Sequence, residues 1–90
     1  MGADRQPEGM TFPCEFMVKA MGLSEPGFDA LVVEIVQHHG PQVREGAVRT
    51  KPSKNGKYIS VSVSFQAESR EQLDAIYDAL TAHDKVLMRL

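Results

Sequence analysis

Ninety residues with 42% hydrophobic content, 24% charged content and a net charge of −2 are ordinary for one small globular domain, and nothing in them points to a membrane or fibrous protein. No apolar run approaches the roughly 20 residues of a membrane-spanning helix. Cys14 is the only cysteine, which excludes an internal disulfide and fits a reducing, cytoplasmic setting.

In chain order, residues 1–11 are polar, contain Gly2, Pro7 and Gly9, and lack the apolar middle of a signal peptide. They are expected to be a disordered tail ahead of one α+β domain over residues 12–90. A first strand is expected over Glu15–Met21, with Phe16, Val18 and Ala20 on one side and Met17, Lys19 and Met21 on the other, ending at Gly22. Ser24 and Pro26 then read as the start of a helix, a side-chain cap and a first-turn proline. Phe28, Leu31, Val32, Ile35 and Val36 form its apolar stripe, and Gly40-Pro41 stops it.

A second strand is expected over Ala47–Lys51. Asn55-Gly56 suits a tight hairpin with two positive φ angles. The third strand alternates strictly, Ile59, Val61, Val63 and Phe65 against Ser60, Ser62 and Ser64. Ser69 and Gln72 match a capping box, followed by Leu73, Ile76, Tyr77 and Leu80 on one helical face. Asp84 ends that helix, and Val86, Leu87, Met88 and Leu90 make a short last strand. The order β-α-β-β-α-β predicts a ferredoxin-like sandwich: a four-stranded antiparallel sheet, strands one and three central, with both helices on one face. The expected core is Phe16, Val18, Leu31, Ile35, Ile59, Val61, Val63, Phe65, Leu73 and Ile76.

The residues that carry chemistry on this fold are missing. The loop from Gly22 to Gly27 has no Cys or His for a metal and no Arg for a phosphate. One cysteine cannot hold an iron–sulfur cluster. The uncovered sheet face carries serines where RNA-binding relatives of this fold place stacking aromatics, with only Tyr58 at its edge, so nucleic acid is disfavoured. His38 and His39 are adjacent on a helix, about 100° apart, and cannot chelate as i, i+4 ligands do. They and His83 read as helix-end residues. Glu71, Asp74 and Asp78 read as a solvated helix face rather than a general acid–base pair. No enzyme and no cofactor is expected.

Charge is unevenly spread. Arg44, Arg49, Lys51, Lys54 and Lys57 sit in one stretch against Glu45 alone, and the rest of the chain is acidic. Basic hairpins also protect sheet edges from aggregation, so this asymmetry is a hint of an acidic partner and no more.

Phe12-Pro13, Lys19-Ala20-Met21-Gly22, the helix from Val32 to Pro41 and the segment from Lys51 to Val63 together resemble the YbeD family, small proteins of Gram-negative bacteria with no settled activity. The resemblance implies the same βαββαβ fold and a likeness to ACT-type regulatory domains, which bind small effectors such as amino acids, often between paired domains. The expected function is a non-catalytic regulatory module that binds a small anionic or amino-acid-like effector or a partner protein. A protein–protein adaptor using the basic hairpin, or a nucleic-acid-associated protein, is the alternative. Candidate ligand-binding residues are Gly22, Leu23, Ser24 and Gly27, where a helix N-terminus offers free amides. Candidate partner-binding residues are Lys51, Lys54, Lys57, Tyr58, Ser60 and Ser62, and that face could also form a homodimer.

Overall fold

Two ten-residue strands carry the architecture. β1 (Cys14–Leu23) and β3 (Tyr58–Ala67) pair antiparallel along their whole length, from Cys14 opposite Ala67 to Leu23 opposite Tyr58. A computed structural model describes residues 11–89; the expected tail, apart from Thr11, and Leu90 lie outside them. β2 (Val48–Pro52) pairs with β3, and β4 (Met88–Arg89) pairs with β1, giving the antiparallel order β2-β3-β1-β4. With α1 (Phe28–His38) and α2 (Arg70–Ala82), this is the ferredoxin-like βαββαβ fold the pattern predicts.

Alternation separates the two sheet faces. Val18, Ala20, Val61, Val63, Phe65 and Ala67 are buried, while the residues that alternate with them along each strand are half-buried or exposed. Small and β-branched residues on the buried face let the helices approach closely. Those helices contribute Phe28, Val32 and Val36 from α1 and Leu73, Ile76 and Leu80 from α2.

The expected core is corrected at four positions. Phe16, Leu31, Ile35 and Ile59 only pack against the core and remain half-buried. The centre of the α1 stripe is the i, i+4, i+8 row Phe28, Val32, Val36, with Leu31 and Ile35 flanking it. A five-residue stripe spans a broad arc, and only contact with the sheet decides which row of it lies deepest.

The start of α1 also differs from expectation. β1 runs on through Gly22 to Leu23, and Ser24 is not a side-chain cap; its amide donates to the Lys57 carbonyl at 2.9 Å. The N-cap is Gly27 at φ 88°, a conformation that L side chains rarely adopt. Gly22 is buried, and a Cβ there would sit 2.6 Å from the Phe28 ring and strike the Lys85 carbonyl. The glycine is needed because Phe28 fills that space.

α2 begins as expected with Ser69 Oγ accepting from the Gln72 amide at 3.1 Å. The returning Gln72 Oε1 takes the Glu68 amide at 2.8 Å, one residue earlier than a standard capping box. Gln72 Nε2 donates to the His39 carbonyl at 3.1 Å and so ties the start of α2 to the end of α1. At the other end, Arg89 lies 4.9 Å from the Tyr77 ring and donates to Thr81 Oγ1 at 2.7 Å, which fixes β4 against α2. Burial raises the Tyr77 pKa above its ordinary value, and the Arg89 charge partly offsets the shift. β4 is shorter than the four apolar residues near the C-terminus suggest.

Ile76→Ala should cost about 2–5 kcal/mol by lost burial and cavity formation. Ile35→Ala should cost clearly less. Equal losses in chemical denaturation would place Ile35 in the core after all. Gly22→Ala should lower stability by about 1–3 kcal/mol through overpacking, which Phe28→Leu in the same chain should partly relieve.

Candidate functional site

The face of the sheet opposite the helices is uncovered. The registers set out its columns. Lys51 lies opposite Ser60, which lies opposite Met21, which lies opposite Met88. Arg49 lies opposite Ser62, which lies opposite Lys19, and Ser64 lies opposite Met17. Three strips therefore run along the strands: cations on β2, small hydroxyls on β3, and methionines around Lys19 on β1 and β4.

Large apolar side chains concentrate here. Among the described residues four are exposed, and three of them, Met17 at 54%, Leu23 at 43% and Met88 at 52%, stand on this face by strand alternation. Exposed apolar side chains scattered singly need no explanation, but a group on one face marks a contact surface.

Arg49, Lys51, Ser60, Ser62, Met17, Lys19 and Met21 are thus brought together. The expected partner-binding set omitted Arg49 and Met88, and the pattern gave Met17, Lys19 and Met21 only as the outer side of the first strand. Continuing the period of two back from Lys51 would have found Arg49; Met88 needed the pairing of β4. The expected hairpin set is divided. Lys51 and Tyr58 join the face, Tyr58 opposite Leu23, whereas Lys54 and Lys57 sit at the hairpin tip, with Lys57 Nζ 5.5 Å from the Tyr58 ring.

The tip itself is not the expected turn. Gly56 alone has positive φ, at 78°, and no residue other than glycine does among those described. The Gly56 amide donates to the Ser53 carbonyl at 2.9 Å, and Ser53 and Tyr58 close the loop with a 2.8 Å main-chain bond. Asn55 Oδ1 accepts from the Lys57 amide at 3.0 Å, so Asn55 contributes a side-chain acceptor rather than a left-handed backbone.

The other candidate loop has a different character. Gly22 lies buried within β1, while Leu23, Ser24 and Gly27 are exposed. Beside them is a hollow of about 100 Å³ lined by Leu23, Glu25, Phe28, Asp84, Lys85 and Leu87. That is below the 300–1,000 Å³ of ordinary ligand sites. Lys85 is already bound to Glu25 at 2.7 Å, and Asp29 accepts the Ala30 amide at 2.9 Å. The helix start is therefore surrounded by carboxylates, which oppose an anion.

A larger cleft of about 480 Å³ lies where the α1–β2 connection passes the ends of β1 and β3. Arg44, Glu15 and Glu68 line it with Gln42, Ser64 and Gln66. The Ser64 amide donates to Ala47 across the β2 side, so alternation directs the Gln66 amide and carbonyl to the same side, beyond the start of β2. No group of three or more His, Cys, Asp or Glu placed to hold a metal occurs among the described residues. None of the described helices is long and apolar enough to cross a membrane.

The model of the family described as "Protein of unknown function (DUF493)" matches residues 7–90. A UPF0250 protein of Paraburkholderia phytofirmans is 45% identical over 83% of this chain and 84% of its own length. One from Neisseria gonorrhoeae is 43% identical over 83% and 82%. Among solved structures, protein HP0495 from H. pylori superposes with a TM-score of 0.76 at 20% identity, covering 100% of this chain and 94% of that one. The crystal structure of the ACT domain from GTP pyrophosphokinase of Chlorobium tepidum gives 0.63 at 10% identity, over 86% and 97%. The chain belongs to the DUF493 family, whose UPF0250 members include the YbeD-type proteins that its sequence resembles, and its fold is ACT-like.

Gly56→Ala should destabilise by roughly 1–2 kcal/mol, the cost of a Cβ in the left-handed region. Asn55→Ala should lose a smaller amount, about 1 kcal/mol, with its acceptor. Thermal melts of both variants test the turn; a larger loss at Asn55 would mean that its backbone, not its side chain, is the requirement.

Proposed function

We propose that this DUF493 member is a non-catalytic regulatory module that acts by docking another protein on its uncovered sheet face. The observation that carries this reading is the gathering of Met17, Leu23 and Met88 on the one face that the helices leave open. The serines of the neighbouring strand β3 keep the surface beside them low, so a second layer can approach the backbone. Methionine adapts to irregular contacts and desolvates easily. Arg49 and Lys51 add a charged margin that fixes orientation and speeds encounter.

Ser62 is the test position, since it lies between Arg49 and Lys19 at the centre of the face. Ser62→Arg should leave the melting temperature within a few degrees of the parent and abolish retention of the partner from a bacterial lysate. Partner binding should also weaken at high salt, as the screening length falls from about 8 Å to about 3 Å between 0.15 and 1 M. Unchanged retention by Ser62→Arg would remove this face from the functional reading.

A small-effector role has one observation in its favour, the cleft at Arg44, whose size falls within the range of ligand sites and whose lining carries both charge signs. A metabolite bound there should raise the melting temperature with its concentration. Arg44→Ala should remove that rise; a rise that survives it would place the effector elsewhere.

A further inference from the structure

The shape and charge of the uncovered face define what kind of protein segment fits it, a question that rests on the docking reading above. The β2 column (Arg49, Lys51) and the β1 column (Met17, Lys19, Met21, Leu23) are separated by the β3 serines. Two strand spacings of about 4.8 Å put the columns about 10 Å apart. Ser60, Ser62 and Ser64 are short, so this part of the face is a shallow trough, closed at one end by Tyr58 opposite Leu23. An α-helix, about 10–12 Å across with its side chains, lying over the serine row touches both columns. From Met17 to Met21, opposite Ser64 to Ser60, the trough runs about 13 Å at ~3.3 Å per residue, which matches about 9 residues of helix at 1.5 Å each.

The walls differ. One is cationic and the other is methionine-rich, with Met88 of β4 extending it. Glu15 is the only carboxylate that alternation places on this face, near its end. The helix layer is opposite in sign: Asp29, Glu34, Glu71, Asp74 and Asp78 are exposed there, and Arg70 is the only lysine or arginine on either helix. A second copy laid face to face would add cations to a surface that already holds Lys19, Arg49 and Lys51. Single-stranded nucleic acid would suit the cations, but it stacks on rows of aromatic platforms, and the strands give this face one aromatic, Tyr58 at its end. A negatively charged helix satisfies both walls at once, as helix-in-groove recognition does elsewhere.

We infer that the partner of this face is an amphipathic helix of about 9 residues, apolar towards Met17, Met21 and Met88 and carrying Glu or Asp towards Arg49 and Lys51. The helix lies along the serine row.

The intact chain carrying the photo-crosslinking residue p-benzoylphenylalanine at Met88 tests this in bacterial cells that express it. Asp74, on the helix layer, carries the same probe as control. The crosslinked segment is read by mass spectrometry and then synthesised as a peptide. The expected segment has apolar residues at i, i+3, i+4 and i+7 with a carboxylate flank, gains helical signal on binding, and shifts the amide resonances of Arg49, Ser62 and Lys19. Arg49→Glu with Lys51→Glu should lower the crosslink yield at least tenfold, and Arg70→Glu on the helix layer should not. A basic, uncharged or strand-forming segment, a peptide of this same chain, or nucleic acid at Met88 would overturn the helix inference while leaving the face a docking surface. No crosslink at Met88 above the Asp74 control would overturn the docking reading as well.

Discussion

The structure depends on one constraint: β1 and β3 are paired in a single unbroken register of ten residues each. With a period of two, that register assigns each side chain of both central strands to one face. Val18, Val61 and Val63 become fully buried, and Ser60, Ser62 and Ser64 face outward. A slip of one residue would put the serines against the helices and the valines in water, so the hydrophobic effect holds the register strongly. What the uncovered face can do is set by the same pairing that makes the core.

The helices are held to this sheet mostly by apolar burial and are located by a few polar ties at the ends. Gln72 joins the two helices through the His39 carbonyl, and Ser69 and Glu68 share the same residue at the α2 start. Glu25 and Lys85 join the loops at the opposite end, an exposed pair that adds little stability. Gly22 admits Phe28 against the strand at that end. Each tie involves loops or helix ends, where backbone groups lack partners within the element.

Charge follows the layers. The helix side is acidic and the sheet side basic, although the whole chain is only −2. A net charge so small says little about partners, but the separation gives each side its own field over about a screening length. The basic stretch that stands out in the chain is divided by the fold: Arg49 and Lys51 border the open face, Lys54 and Lys57 occupy the hairpin tip, and Arg44 lines the polar cleft. Charges neighbouring in sequence thus belong to three different surfaces.

The sequence by itself determined the element order, the faces of both central strands and the buried row of α2, because alternation and helical periodicity are local properties that burial reinforces. It also fixed the Ser69 cap, since capping joins residues three apart. Tertiary structure decided which row of the α1 stripe lies deepest, because five apolar residues on a helix do not say where the sheet will touch them. It decided that Gly22 stays in the strand, since the reason is the Phe28 ring arriving from six residues on. It decided that in the hairpin turn Gly56, and not Asn55, takes the positive φ, because the main-chain bond between Ser53 and Tyr58 sets the loop length. The candidate site was largely legible: Met17, Lys51, Ser60 and Ser62 follow from alternation, as Arg49 does by the same period, but Met88 joins them only through the pairing of β4 with β1, and no local pattern in a single strand encodes its neighbour.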